Sequence, residues 1–560
     1  MVNFKFLSNF KYKSINCIII CKIQILSKIL KKFLLNKNIN VMNFFILLHF
    51  SLIQYLIGYK ILIYSPEIGH SHVNFNIRIA NTLIEAGHNV TYLKISIAKN
   101  INFKTKANII ETTSNKKFLN LFNNVVGVKN MWTMKDSFIE QMTDFSQFTN
   151  GLVVLCQSIF EDDKLTDIIR NEKYDIFIGE FYTLCPVFLK KYWNIENSIF
   201  TSAMTNNELL YDYFGLYFPS SYVPTMYHNA NDNMPYLQRW SNFIDYYISK
   251  IFFKYILVPK FQLIYQNKSN DFTFSITEIA KETGAIWINT LPFIDFPSPI
   301  TSKLHYIGGA GLPETKPLDD KWNNILNKRD FNVLISFGSI AKSYTMLEEY
   351  KKGILKAFTD LSNITFIWKY EKNETTLPLK VPSNVIIIDW IPQNDLLNDN
   401  RLNLFITHGG INSIVEAASR STPIICVPLF GDQKRNAGMV QRLGFSEYYD
   451  KENLSNSELL KKTILKIIHN KTYSKRANRI GTLMKDVPFK ANEIIIKTTE
   501  FIGKNGNIPE MNLHGSNMGI IEFFNLDIIF ILIVLLILVF LSFYHLTKKI
   551  FKSNYKYKSD

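Results

Sequence analysis

The sequence predicts a two-part α/β protein, each part a doubly wound parallel sheet, with the two parts facing a cleft and a membrane-crossing helix at the C-terminus. Three observations carry that expectation. Apolar strand-like runs alternate with helix-length amphipathic segments in both halves of the chain. Three successive strand ends in the second half, near residues 390, 408 and 432, carry polar and aromatic side chains where a core would not need them. The run Ile528–Tyr544 holds 17 residues without a charge and is followed by Lys548, Lys549, Lys552, Lys556 and Lys558.

The alternation places a strand at 59–66, a helix at 72–88 and a strand at 89–95 in the first half. The second half opens with a strand at 331–339 and continues through strands at 364–370, 385–390, 404–409 and 423–429, with helices between them. Strands separated by helices of ten to fifteen residues form parallel sheets covered on both faces. The Pro- and Gly-rich stretch 296–320 reads as the join. Residues 59–300 and 301–510 are therefore the two expected domains, and 526–546 the expected span, with 547–560 a lysine-rich tail. At about 1.5 Å per residue the uncharged run reaches roughly 26 Å, close to the thickness of a thin bilayer.

The N-terminus has a different composition. Residues 1–41 contain eight lysines and no acid, and they read as an upstream extension. Met42 then opens an apolar stretch ending near Gly58 that resembles a secretory signal, 42–58. The formal net charge of +16 is concentrated at these two ends. With no basic stripe across either domain, nucleic-acid binding is not expected. A cleaved signal and one anchor would put residues from about 59 to 525 in the lumen of the endoplasmic reticulum, as a single-pass membrane protein. Six Asn-x-Ser/Thr sequons, at Asn89, Asn267, Asn363, Asn373, Asn453 and Asn470, permit glycosylation. Cys17 and Cys21 fall in the extension, leaving Cys156, Cys185 and Cys426. That odd count suggests neither a disulfide framework nor a zinc site.

In doubly wound sheets ligands sit beyond the carboxyl ends of the strands, and that rule sorts the motifs. The strand ends bring Trp390 and Gln393, then His408, Gly410, Asn412, Ser413 and Glu416, then Asp432 and Gln433 to one rim. Glycines allow close backbone approach, and the helix start behind them supplies partial positive charge, which suits a diphosphate. An aromatic ring suits a base, and a carboxylate suits ribose hydroxyls.

The stretch "WIPQNDLL…FITHGGINSIVEA…PLFGDQ" resembles the signature of the UDP-glycosyltransferases, most closely their membrane-bound UDP-glucuronosyltransferase branch. The resemblance implies two Rossmann-like domains of the GT-B type and a UDP-sugar, UDP-glucuronate or UDP-glucose, as co-substrate with no cofactor or metal. It implies that Trp390 stacks the uracil and Gln393 lies at the nucleoside. His408, Asn412 and Ser413 would hold phosphate, Glu416 the ribose, and Asp432 and Gln433 the sugar. "SFGS" at 336–339 is similar to the family loop that brings Gly338 and Ser339 to the phosphates, and "FPSSYVP" at 218–224 also matches. Lys434 and Arg435 follow Gln433; they could serve a uronate carboxylate or simply face solvent.

Sugar transfer to a hydroxyl needs a base, and "SPEIGHSHVNF" offers His70 and His72. The family's acceptor-activating histidine follows a serine and begins this helix, which implies His72. Its supporting carboxylate is usually an aspartate; the matching position in "YDIFIGEFYTLC" is Glu180, a departure that adds a methylene, while Asp175 reads as structural. The reaction implied is a single inverting displacement onto a small lipophilic acceptor. The acceptor pocket is expected from the aromatic- and Met-rich loops 130–160 and 205–250. An inactive, donor-binding partner in a homo- or hetero-oligomer is the competing reading.

Overall fold

The computed structural model describes residues 58–96, 103–113, 120, 131–134, 138–273, 276, 281–372 and 377–556. The upstream extension and nearly all of the signal-like segment lie outside these.

Seven strands make the first sheet: β1 Lys60–Pro66, β2 Asn89–Ser96, β3 Asn108–Thr113, β4 Ile176–Glu180, β5 Asn197–Ser202, β6 Ala285–Ile288 and β7 Leu304–Tyr306. Their order is β3-β2-β1-β4-β5-β6-β7, and every pairing is parallel. Six strands make the second: β8 Phe331–Ser336, β9 Ile364–Lys369, β10 Val385–Ile388, β11 Leu402–Thr407, β12 Ile424–Cys426 and β13 Ser446–Tyr448. They run β10-β9-β8-β11-β12-β13, again all parallel. Both sheets reverse their winding direction once, between β1 and β4 and between β8 and β11. A crevice opens at each reversal, and the ligand rule points to these two places.

The central strands form because their β-branched and aromatic runs can be buried on both faces, as Ile61–Tyr64 and Val333–Ile335 are. The helices that matter for the site are α1 His70–Glu85, α2 Phe138–Phe160, α3 Cys185–Tyr192, α4 Tyr236–Ile251, α5 Ile411–Ser419, α6 Gln433–Arg442, α7 Ala491–Asn505 and α8 Leu526–Lys556. β7 carries the first sheet past residue 300. The chain then returns to it from the second half, since Ile495 and Ile502 of α7 join the core beneath β1 and β4. Trp287 Nε1 of β6 donates to Thr498 Oγ1 of α7 at 3.1 Å.

One expectation is corrected. Cys156 of α2 and Cys185 at the start of α3 form a disulfide. The odd cysteine count was misleading because Cys426 is buried in β12 and packs as a small apolar side chain. Removing it leaves an even pair.

Within α8, Leu526–Phe551 is the only described helix long and apolar enough to cross a membrane. Helical structure continues through the lysine cluster to Lys556, because Thr547–Lys556 contains no Gly or Pro to stop it.

Candidate active site

The reversal between β1 and β4 produces the first half of the site. α1 begins directly beyond β1, so His72 sits in its first turn, and β4 ends at Glu180, which is only 1% exposed. His72 Nδ1 lies 2.5 Å from Glu180 Oε1. Asn76 Nδ2, one turn along α1, donates to Glu180 Oε2 at 3.4 Å, and the Ala203 N–H donates to Oε1 at 3.3 Å. The extra methylene of glutamate is thus accommodated with the contact intact. With Nδ1 held by the carboxylate, Nε2 is left as the basic position.

Burial opposes a charge on His72, but Glu180, by charge and hydrogen bond, and Asp432 from the other domain outweigh it. The His72 pKa therefore lies above that of an ordinary histidine. His70 is pushed the other way, by burial and by Lys342 and Lys369. The two candidates differ in environment, and His72 alone has a carboxylate partner. Asp175 instead accepts the Lys60 N–H at 2.7 Å, at the entrance to β4.

The second reversal explains the His-Gly-Gly sequence. His408 stands just past β11, between the loop after β8 and the start of α5. A Cβ on Gly338 would lie 2.8 Å from its ring, and one on Gly410 would lie 2.6 Å from its Nε2. Gly338 also has φ +85°, which disfavours any side chain. The imidazole is clamped between two glycines 72 positions apart in the sequence. Burial, reinforced by Lys369, pushes its pKa down to about 4, so His408 is neutral at pH 7. A neutral ring can still donate its N–H to an ionised phosphate oxygen, a bond assisted by the charge of the acceptor alone.

Glu416, on α5, accepts from Gln393 Nε2 at 2.8 Å and from Arg78 Nη2 at 3.1 Å. Gln393 Nε2 also reaches Ser413 Oγ at 3.5 Å. Asn412 Oδ1 accepts from Asn289 Nδ2 at 2.7 Å, and its Nδ2 donates to the Ser71 carbonyl at 3.2 Å, so it bridges the domains beside His72. Asp432 stands just before α6 and accepts from Asn436 Nδ2 at 2.8 Å; burial, partly offset by that bond and by His72, raises its pKa. The Gln433 amide oxygen accepts the Leu429 and Phe430 N–H groups, which leaves its Nε2 for the cleft. Trp390 is 76% exposed, with Lys369 Nζ 5.6 Å from its ring centroid.

His70, His72, Arg78, Lys369, Trp390, Gln393, His408, Gly410, Asn412, Ser413, Glu416, Asp432 and Gln433 line one cleft of about 780 Å³, with Gly338, Ser339 and an apolar wall that includes Phe145, Phe148, Tyr182, Met204, Met226 and Tyr227; Glu180 lies behind His72. That size is within the range of small-molecule sites. Motif reasoning missed two of its residues. Lys369 ends β9 and donates to the Gly338 carbonyl at 2.8 Å; its place at a strand end was the available signal. Arg78 lies 338 positions before Glu416 with no local signal. Two expectations fail in part. Arg435 is buried, not solvated: its guanidinium donates to Asp295 Oδ1 (2.8 Å), Thr205 Oγ1 (2.9 Å) and the Pro224 carbonyl (3.1 Å). Lys434 is also buried. The aromatic residues of α4, within the stretch 205–250 assigned to the acceptor pocket, do not line the cleft.

Two facing doubly wound domains with such a cleft define a nucleotide-sugar transferase architecture. The profile of the family described as UDP-glucoronosyl and UDP-glucosyl transferase matches residues 59–558, and the chain belongs to that family. It is a UDP-glycosyltransferase, with a UDP-sugar as co-substrate. A Caenorhabditis briggsae protein, ugt-47, whose name assigns it provisionally to the UDP-glucuronosyltransferases, is 30% identical over 509 residues, covering 88% of this chain and 94% of the relative. The human 2-hydroxyacylsphingosine 1-beta-galactosyltransferase is 24% identical over 501 residues, covering 88% and 89%. Among solved structures, CalG4, the calicheamicin glycosyltransferase, shares the fold with a TM-score of 0.56 at 14% identity, covering 80% of this chain and 99% of its own.

Proposed function

We propose that the protein is an inverting transferase that moves a hexosyl or glucuronosyl group from its UDP-sugar to a hydroxyl of a small lipophilic acceptor. In this reading His72 Nε2 takes the acceptor proton as the acceptor oxygen forms its bond to the anomeric carbon. The bond from that carbon to the phosphate oxygen breaks, and UDP leaves with the electron pair. The observation that carries the reading is the His72–Glu180 contact at 2.5 Å, which pairs a base with its carboxylate at the wall of the cleft opposite Trp390 and His408. Trp390 stacks the uracil, Gln393 lies at the nucleoside, and Glu416 takes the ribose hydroxyls. His408, Asn412, Ser413, Gly338, Ser339 and the start of α5 meet the diphosphate, with Gly410 clearing space for the His408 ring. Asp432 and Gln433 hold the sugar.

Trp390→Ala should weaken UDP binding by about ten- to a hundredfold, from the ~1–3 kcal/mol of a base–aromatic stack. His408→Ala should cost roughly 1.5–3 kcal/mol, because the phosphate that accepts its N–H is ionised. Calorimetric titration with UDP checks both, and unchanged affinity in the two variants would refute the donor-site assignment.

UDP-glucuronate is the donor favoured by the relatives' names. UDP-glucose is the second reading, and a specific observation favours it: Arg435, the nearest cation by motif, is committed to Asp295. Microsomes given each donor separately with a simple phenol decide between them. Product from glucose alone would reverse the choice, and product from neither with UDP still bound would favour an inactive partner.

We read the chain as a membrane protein from its apolar C-terminal helix. We place its body in the endoplasmic reticulum lumen; the Cys156–Cys185 disulfide supports an oxidising compartment.

A further inference from the structure

α4 is built inside out. The residues it turns toward the protein are Asn242, Tyr246 and Ser249, each 2% exposed or less. Asn242 accepts the Thr225 N–H at 2.8 Å, and its Nδ2 donates to the carbonyls of Ser220 at 2.6 Å and Val223 at 2.9 Å, so a buried amide and not a hydrophobic stripe docks this helix. The apolar residues face outward. Leu237, Trp240, Ile244, Ile248 and Ile251 recur at three- and four-residue spacing along one line, flanked by Phe243 and Tyr247. The line continues beyond the helix with Tyr255 and Ile256, and Leu237 is 76% exposed. A helix facing water puts its polar side out. This one does the reverse over about 21 Å, at about 1.5 Å per residue.

Its position supplies the reason. Tyr217 packs against Phe524, two residues before α8 begins, with ring centroids 5.1 Å apart. Phe218, next in the chain, stacks on Tyr246 of α4 at 5.1 Å. The backbone of Ser516 lies so close to Gly215 that a Cβ there would be 2.4 Å from its nitrogen. The approach to the apolar helix is thus fastened to the loop on which α4 rests, and Ile520 and Ile521 are exposed beside it. Arg239 and Lys254 are exposed on or next to α4, as suits an anionic headgroup layer.

We propose that the outer face of α4 and its continuation to Tyr255 lies in the surface of the bilayer that holds α8, inserted ~5–10 Å to the boundary of headgroups and acyl chains. The proposal rests on the reading of α8 as a membrane anchor. The protein then touches the membrane twice, through a span and through an interfacial helix of the acceptor domain. The acceptor domain is held against the lipid instead of hanging from a single tether.

The test uses the full chain in nanodiscs, with a fluorophore on Ile248→Cys or, as a control on the second domain, on Lys475→Cys. Brominated lipids should quench the label at 248 several-fold more than that at 475, while alkaline carbonate leaves the chain in the membrane. Equal quenching in a chain that resists carbonate would overturn the interfacial helix and keep the anchor. Release by carbonate would overturn the anchor, and this proposal with it. Shielding of the 248 label from water without bromolipid quenching, with energy transfer between copies, would show that a second copy covers the face and would overturn the lipid reading.

Discussion

Replacing His72 with alanine should leave UDP bound and slow transfer by about 10²–10⁴, the usual worth of a positioned base. The argument rests on the orientation of the ring. Glu180 is fixed by Asn76 and by the Ala203 N–H, so it can hold His72 Nδ1 while Nε2 faces the cleft. The base must be neutral to accept the acceptor proton, so the rate should rise with pH through the His72 pKa. Glu180 and Asp432 place that pKa above the ordinary histidine value against the effect of burial. Glu180→Gln removes the nearer carboxylate charge, and its acid limb should move to lower pH with a smaller maximal rate. Glu180→Asp should retain measurable activity. Rate against pH for the three enzymes at saturating donor is the measurement. An acid limb that stays put in Glu180→Gln would mean another group titrates, and normal turnover in His72→Ala would exclude it as the base.

Arg435→Ala should destabilise the protein by about 3–5 kcal/mol, the cost of leaving a buried charge unpaired. Arg435 and Asp295 are 1% and 0% exposed and belong to different domains. Asp295 is further held by the Asn206 N–H at 3.0 Å, and the Arg435 guanidinium lies over the Phe296 ring at 5.1 Å. Such a pair contributes little beyond what apolar residues of the same shape would. Arg435→Met combined with Asp295→Leu should therefore recover most of the loss, whereas each single variant should not. Urea unfolding of the detergent-solubilised chain reads this out; a single-variant loss under ~1 kcal/mol would show that the pair is hydrated and weak.

The parts of the fold that sequence pattern revealed are those where burial is symmetric. β1, β2, β8, β9 and β11 are apolar runs because both faces are covered, and their strand-end residues follow by the topology of parallel sheets. β3, with its alternating exposure, and the three-residue β7 and β13 leave too short or too polar a trace. The rim of the cleft was readable because Trp390 to Gln433 is one continuous segment. Arg78, Lys369 and the Asp295–Arg435 pair were not, since each matters only through a partner far away in the chain. α4 was misread for a different reason: aromatic content does not say which surface a side chain faces, and Trp240, Phe243 and Tyr247 point away from the cleft.

The Arg78–Glu416 ion pair ties the two domains together at the edge of the cleft. Glu416 has both oxygens engaged, one by Arg78 and one by Gln393. Each carboxylate oxygen keeps a second lone pair, so ribose hydroxyls can donate to Glu416 while Arg78 and Gln393 stay bound. The two donors act as splints: they hold the carboxylate in one orientation, so the entropy of fixing it falls on folding and not on binding. A nucleotide lacking the hydroxyls leaves those lone pairs without a donor, and the site rejects it by the bonds it cannot make.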